Sequence, residues 1–227
     1  MKLGSISANS RDGCPVLVDR CLRYMVAVNN VIDYWQVAIE NWAAVSPKLG
    51  KIYGKLDKGL AEGEIPYDRS KLSAPFPIAY QWLDCSAYVT HVELLRKAHG
   101  VELPANFWVD PLVYQGGSDH LLGPCEPIKI KDINWGADFE GELAVVVDDD
   151  PLGISENKAE QHIKLIMLVN DVSLRNLIPD ELNKGFGFVH GKPPSAFGPL
   201  AITPDTIGQS CKDGKVHLPL LIKLNGK

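Results

Sequence analysis

The chain has 227 residues, of which 45% are hydrophobic and 22% are charged, and its formal net charge is −5. Because no stretch is rich in Lys and Arg, this acidic balance argues against a nucleic-acid partner. No apolar run is long enough to span a bilayer, and the first residues lack the apolar core of a signal peptide. The five cysteines are scattered and form no CxxC pair, so neither a zinc site nor a disulfide framework is indicated. We therefore expect a soluble, cytoplasmic protein with no membrane partner.

Residues 1–73 are predicted to form a small N-terminal domain. A helix is expected over residues 31–60, where Ile32, Trp35, Ile39 and Trp42 recur at steps of three and four and form one apolar face. Prolines at positions 75 and 77 rule out a continuing helix, so a boundary is placed there. Residues 74–227 then form the larger domain.

The larger domain is predicted to be rich in strands and loops. Strands are expected at residues 138–147, 163–169 and 216–224, and a helix capped by Ser155 at residues 155–162. Asn225 and Gly226 form the strongest short signal for a hairpin turn. Because no returning strand follows this turn, we hypothesise that the chain is a C-terminally truncated version of a longer protein.

Two pairs of carboxylates are candidate metal ligands. Glu140 and Glu142 are two residues apart at the start of a strand, so both side chains point to one face and repel each other. Asp171 follows a buried strand, and Asp84 follows an apolar pair. The simpler interpretations are a solvated strand end for the glutamates and a turn or helix cap for Asp171. If the four converge, an all-oxygen site would favour Mg²⁺, Ca²⁺ or Mn²⁺.

Four sequence blocks, taken together, resemble the fumarylacetoacetate hydrolase family in order and spacing. They begin at Tyr114 (YQGGSD), Asp138 (DFEGELAVV), Val169 (VNDVSLR) and Lys192 (KPPSAFGP). The resemblance extends from about residue 74 to the C-terminus. It implies an α+β, β-rich fold, in which a mixed β-sheet roll of the fumarylacetoacetate hydrolase type carries a small N-terminal domain.

The resemblance also implies roles for individual residues. The implied metal ligands are Asp84, Glu140, Glu142 and Asp171, with Mg²⁺ the expected ion and Ca²⁺ or Mn²⁺ as alternatives. The implied catalytic residues are His91, Glu93 and Lys192, and the implied substrate-binding residues are Tyr114, Arg175 and Ser195. Without the resemblance, His91 would be interpreted as an exposed helix histidine. In the shorter members of the family the glutamate lies three residues after the catalytic histidine, whereas Glu93 lies only two residues after His91.

The implied function is metal-dependent hydrolysis of a carbon–carbon bond in a 1,3-diketo acid, such as fumarylacetoacetate or an acylpyruvate. Such a homodimeric enzyme would serve tyrosine or aromatic-compound catabolism and would bind only a small keto acid. A decarboxylase, isomerase or dehydratase on the same scaffold is an alternative. An inactive truncated fragment is another, because longer members continue for about a hundred residues with a segment of Gly-Ser-Gly-Thr type.

Overall fold

The computed structural model describes residues 1–98, 100, 102–185 and 187–227, and it confirms the α+β, sheet-rich class. The strands are β1 Lys2–Ile6, β2 Cys14–Val18, β3 Tyr24–Ala27, β4 Ile65–Pro66, β5 Trp82–Ser86, β6 Leu112–Gly116, β7 Ala137–Asp138, β8 Gly141–Val147, β9 Ile163–Asn170, β10 Ser173–Leu174, β11 Ala196–Ile202, β12 Cys211–Lys212 and β13 Lys215–Val216. The α-helices are α1 Trp35–Glu40, α2 Trp42–Leu56, α3 Val89–Ala98, α4 Glu156–Ala159 and α5 Ile178–Asn183. Short 3-10 helices occupy Arg69–Lys71, Ala105–Trp108, Ile133–Trp135, Glu160–His162 and Pro204–Ser210.

In the described residues, a seven-stranded sheet with the order β4-β3-β2-β1-β11-β9-β8 organises the fold. Its neighbouring strands are antiparallel, and a parallel bridge joins Leu122 to Ala196. Strand β1 pairs with β2 on one side and with β11 on the other. The N-terminal strands and the strands after residue 140 therefore form one continuous sheet.

Residues 31–60 form two helices where one was predicted. Asn41 separates α1 from α2, with φ of −118° and ψ of 28°. The predicted apolar face is buried nonetheless, since Ile32, Trp35 and Ile39 are at most 9% exposed. Trp35 also donates a hydrogen bond from Nε1 to the carbonyl oxygen of Gly4, at 2.9 Å. This contact fixes the helical segment on the face of β1.

The strand predicted at residues 163–169 is confirmed as β9, which lies between β8 and β11. The strand predicted at residues 138–147 is interrupted, because β7 ends at Asp138 and β8 begins at Gly141. The helix predicted at residues 155–162 is a single turn, α4, followed by a 3-10 turn. The Ser155 side chain bonds to Asn157 rather than to a backbone N–H, so the predicted cap is not formed.

The strand predicted at residues 216–224 is wrong. Val216 ends β13, and residues 217–224 have no strand assignment. Pro219 lacks the N–H that a ladder requires, which weakens strand formation here. A turn forms at the predicted place, because Asn225 and Gly226 have φ of 52° and 78° and Leu224 and Lys227 exchange two backbone hydrogen bonds of 3.0 Å. The described residues just before it form no strand, so it does not close a hairpin.

The sheet brings the predicted site together at one end of its central strands. Asn170, the last residue of β9, is the register partner of Gly141 in β8 and of Ala196 in β11. Residues beside these three positions in the sequence therefore meet in space. No helix in the described part of the chain combines the length and the apolarity needed to cross a membrane.

Candidate metal centre

Asp84 and Tyr114 form the first wall of the site. They are register partners in the antiparallel pair β5–β6, so their side chains lie on the same face. The Tyr114 hydroxyl donates a hydrogen bond to Asp84 Oδ2 and lies 3.4 Å from Asp171 Oδ2. The ring of Phe188 packs edge-on against Tyr114 with a centroid separation of 4.7 Å.

Asp171 and Glu142 complete a carboxylate triad with Asp84. Asp171 follows the end of β9 and is 3% exposed, while Glu142 is the second residue of β8. Each of the three residues offers an oxygen atom, and these oxygens all lie within 4.8 Å of one another. The structure thus brings together three of the four predicted ligands as a compact all-oxygen group.

Lys192 and Ser195 approach the triad from the loop before β11. The Lys192 Nζ donates to Asp171 Oδ2 and lies 3.7 Å from Asp84 Oδ2. Ser195, which is buried, donates from Oγ to Asp171 Oδ1 at 2.8 Å. Both Asp171 oxygens are therefore hydrogen-bonded, which fixes the orientation of this carboxylate.

Glu140 lies beside the triad and is held by three donors. Its Oε1 accepts from Ser173 Oγ and from Lys192 Nζ, the latter at 3.2 Å. Its Oε2 lies 3.0 Å from the Arg175 guanidinium. Glu140 lies immediately before the first residue of β8, and its carbonyl oxygen accepts a hydrogen bond from the Asp171 N–H at 2.9 Å.

Burial and mutual repulsion raise the pKa values of two of these carboxyl groups towards the neutral range. Burial, with the charges of Asp84, Asp171 and Glu140, raises the pKa of Glu142 to about 7. Burial and a hydrogen bond with Asp171 raise the pKa of Asp84 to about 6, although Tyr114 and Lys192 oppose the increase. The region therefore carries more negative charge than its own cations neutralise.

Asp171, Lys192 and Tyr114 keep their usual charge states. Burial opposes ionisation of Asp171, but hydrogen bonds from Asp84, Lys192 and Ser195 outweigh it and lower its pKa. Burial likewise opposes the Lys192 charge, but contact with Asp171 and Glu140 raises the pKa of that ammonium group. Burial and the bond to Asp84 raise the pKa of Tyr114, so its phenol stays a donor.

The residues present fit a hard divalent cation. Mg²⁺ and Mn²⁺ prefer carboxylate oxygens, and metal–oxygen distances of roughly 2.0–2.6 Å place ligating oxygens within about 4–5 Å of one another. The triad meets that spacing. A cation would also displace the proton that Glu142 holds below about pH 7 and the proton that Asp84 holds below about pH 6.

The remaining predicted site residues lie in different places. Arg175 contacts Asp138 through Nε at 2.8 Å and Glu140 through a terminal nitrogen, so its guanidinium is paired with two carboxylates. Glu93 is exposed on α3, where it lines a surface depression with Arg96 and Glu102. The side chain of His91 lies outside the described part of the chain, so its predicted catalytic role stays a prediction.

Sequence reasoning missed Asn170, Ser173 and Phe188. The Asn170 side chain accepts a hydrogen bond from the Glu140 N–H at 3.1 Å, and Ser173 donates to the Glu140 carboxylate. Asn170 and Ser173 flank Asp171 within one of the four sequence blocks, which was the available signal. Phe188 contacts Tyr114 from a distant loop, and no local pattern indicates that contact.

A second group with metal-ligating side chains lies at the opposite end of β8 and β9. His162 Nδ1 lies 2.6 Å from Asp148 and 3.0 Å from Asp150. Lys164 Nζ also contacts Asp148, at 2.9 Å. Lys164 thus already pairs with Asp148, and Asp150 is exposed. We therefore interpret it as an ion-pair network.

Two family models together match almost the whole sequence. A family model described as "Fumarylacetoacetate (FAA) hydrolase C-terminal" matches residues 81–227. A second, described as "Fumarylacetoacetase N-terminal domain 2", matches residues 1–78. Because the first match alone covers more than half of the sequence, the chain belongs to the fumarylacetoacetate hydrolase family.

Two curated relatives share part of this sequence. A 2,4-didehydro-3-deoxy-L-rhamnonate hydrolase from Sphingomonas sp. is 28% identical over 133 residues, which are 57% of this chain and 45% of that protein. A mitochondrial oxaloacetate tautomerase from Xenopus laevis is 29% identical over 102 residues, 43% of this chain and 31% of that protein. The chain thus matches less than half the length of either relative.

Solved structures share the fold. A fumarylacetoacetate hydrolase from Exiguobacterium antarcticum has a TM-score of 0.65 and is 19% identical. The match covers 92% of this chain and 69% of the hydrolase chain. A maleylpyruvate hydrolase from Sphingobium sp. SYK-6, in complex with manganese (II) ion and pyruvate, has a TM-score of 0.60 and 14% identity, covering 93% and 70%. At these identities the likeness establishes the fold alone.

Proposed function

We propose that this protein is a divalent-cation-dependent enzyme that hydrolyses a carbon–carbon bond beside a ketone in a small 1,3-diketo acid. The observation that carries the proposal is the triad of Asp84, Glu142 and Asp171 with the partly buried ammonium group of Lys192 against it. An anionic substrate with adjacent oxygens needs positive charge in an otherwise acidic protein. A bound cation and Lys192 would provide it.

A bound Mg²⁺ or Mn²⁺ would polarise the substrate carbonyl and neutralise its carboxylate. Water adds to the carbonyl carbon farther from the carboxylate, and the bond between that carbon and the methylene carbon breaks. The electron pair stays on the methylene carbon as the enolate of the 2-oxo acid, which then takes a proton. Lys192 lies at the carboxylates, where its charge stabilises developing negative charge. Tyr114 remains protonated and can donate to a substrate oxygen. His91, seven residues after Asp84, is the proposed base that accepts a proton from water.

The second candidate is isomerisation or tautomerisation of a 2-oxo acid on the same site. The named relatives include both a hydrolase and an oxaloacetate tautomerase, so family membership supports either reaction. Both reactions pass through an enolate, and the same cation and lysine would stabilise it. Decarboxylation and dehydration are related alternatives, and only the products distinguish these reactions.

A product assay tests the proposal. The Mn²⁺-loaded and Mg²⁺-loaded protein is incubated separately with acetylpyruvate and with oxaloacetate, and products are followed by proton NMR. Acetate and pyruvate in equal amounts from acetylpyruvate, absent with Lys192→Met, would support hydrolysis. Faster keto–enol exchange of oxaloacetate without cleavage of acetylpyruvate would favour the tautomerase. A folded, metal-loaded protein that turns over neither compound would contradict both candidates and favour an inactive fragment.

A further inference from the structure

The geometry points to Arg175 and Ser173 as positioning residues that orient the carboxylate of Glu140, the fourth predicted metal ligand, beside the triad of Asp84, Glu142 and Asp171. This inference rests on the proposed metal centre and refines it. The family resemblance implied a substrate-binding role for Arg175. In the structure, the contacts of its guanidinium are instead with two carboxylates of the protein, Asp138 and Glu140.

The backbone of Glu140 is fixed first. Its N–H donates to the Asn170 side chain at 3.1 Å, and its carbonyl oxygen accepts from the Asp171 N–H at 2.9 Å. These two bonds tie the residue to the end of β9, between β7 and β8. The position of Glu140 relative to Asp171 is therefore set by the main chain, and its side-chain torsions remain to be fixed.

The side chain is fixed by donors from β10 and from the turn that follows it. Ser173 is the first residue of β10, and Arg175 comes directly after the end of this strand. Ser173, fully buried, bonds to Oε1, and Arg175 lies 3.0 Å from Oε2. Each oxygen of Glu140 thus has its own donor, and this fixes the rotation of the carboxylate plane.

Asp138 anchors the arginine in turn. It is the register partner of Ser173 in the β7–β10 pair and accepts from Arg175 Nε at 2.8 Å. The backbone N–H of Arg175 also donates to the Gly136 carbonyl oxygen at 2.9 Å. A guanidinium group can bridge two carboxylates because its donors are arranged in a rigid fork, which an ammonium group lacks.

Such support matters because Glu140 lies among carboxylates that repel it. Without Arg175 and Ser173, the preferred response is rotation of the side chain away from Asp171 and Glu142. Loss of a hydrogen bond that orients a metal-ligating side chain typically weakens metal affinity about 10- to 100-fold. We expect Arg175→Gln and Ser173→Ala each to weaken Mn²⁺ binding by a factor in that range.

A double-mutant cycle tests the inference by calorimetric titration of Mn²⁺, with no need for activity. The proteins compared are wild type, Arg175→Gln, Glu140→Gln and the double variant, with Arg20→Gln as control because Arg20 pairs with Asp57 in the N-terminal segment. If Arg175 acts through Glu140, Arg175→Gln changes affinity by less than about twofold once Glu140 is glutamine. If Arg175→Gln does not fold, Ser173→Ala replaces it in the same double-mutant cycle with Glu140→Gln.

Two results would overturn the inference. An unchanged Mn²⁺ affinity in Arg175→Gln, with a raised KM, would make Arg175 a substrate-binding residue. If Arg175→Gln weakened Mn²⁺ binding equally in the wild-type protein and in Glu140→Gln, Arg175 would act independently of Glu140. Failure of the wild-type protein to bind Mn²⁺ is a different outcome, since it would reject the proposed metal centre itself.

Discussion

Asp84 and Tyr114 lie directly opposite each other in the β5–β6 pair, and the Tyr114 hydroxyl donates a hydrogen bond to the Asp84 carboxylate. This bond favours the ionised form and opposes the burial that raises the pKa of Asp84 to about 6. Tyr114→Phe should therefore raise the pKa of Asp84 further. Because a metal ligand must lose its proton, we expect weaker Mn²⁺ binding at about pH 6.5 and a smaller effect at about pH 8.

The matched control for this prediction is Tyr80→Phe. Tyr80 also donates to a carboxylate, Glu40, at 2.6 Å, but this pair is exposed and lies outside the site. Its removal should leave Mn²⁺ affinity unchanged at both pH values. An equal loss of affinity at both pH values in Tyr114→Phe would show that the phenol does not act through the protonation of Asp84.

Glu142→Gln should stabilise the metal-free protein at alkaline pH. Burial raises the pKa of Glu142 from 4.5 to about 7, so between these values the folded chain retains a proton that the unfolded chain has lost. The free energy of unfolding therefore falls as pH rises through this window. Glutamine removes this penalty, and Tm should rise by roughly 2–4 °C per kcal/mol relieved.

The test is thermal melting in EDTA at about pH 5 and about pH 8, with Glu156→Gln as the exposed control. The gain in Tm over wild type should be small at the lower pH and larger at the higher one. With Mn²⁺ present, the wild-type protein should have the higher Tm, because Glu142→Gln lacks one metal ligand. A gain of equal size at both pH values without metal would contradict the assigned pKa.

Much of the site could be predicted because its residues fall within short blocks. Asp171 follows the buried strand β9, and the family resemblance located Asp84 and Lys192 by order and spacing. The periodicity of residues 31–60 predicted the buried face that contains Trp35, but gave no signal for the break at Asn41.

Other features depend on tertiary contacts that local patterns do not encode. The position of Glu140 depends on backbone hydrogen bonds with Asp171 and Asn170, which lie far from it in the sequence. The partners of Arg175 depend on the β7–β10 pairing, which joins segments more than thirty residues apart. The predicted strand at residues 216–224 failed since alternation alone does not supply a pairing partner.

Lys192→Met should affect metal binding and catalysis in opposite directions. The ammonium group contacts Asp171 and Glu140, so it competes with a cation for these carboxylates. Its removal should tighten Mn²⁺ binding, whereas kcat should fall about 10²- to 10³-fold because stabilisation of the enolate is lost. Lys212→Met, at an exposed position, is the control. Weaker metal binding in Lys192→Met would contradict this arrangement.

The outer face of β8 should support self-association. Leu143, Val145 and Val147 are each at least 40% exposed, and β8 is an edge strand of the described sheet. Exposed apolar edge strands favour pairing with a second chain. We expect a dimer by analytical ultracentrifugation, and Val145→Lys should shift it towards monomer. A wild-type protein that stays monomeric at high concentration would contradict the expected homodimer.

The most direct test of the central claim is calorimetric titration of Mg²⁺ and Mn²⁺ into metal-stripped protein, with Asp171→Asn and Asp150→Asn beside it. Asp171 belongs to the proposed centre, and Asp150 to the ion-pair network at the far end of β8 and β9. We predict saturable binding at one site that is lost in Asp171→Asn and retained in Asp150→Asn. The absence of binding by a wild-type protein that melts cooperatively, or binding that only Asp150→Asn removes, would contradict the proposed metal centre.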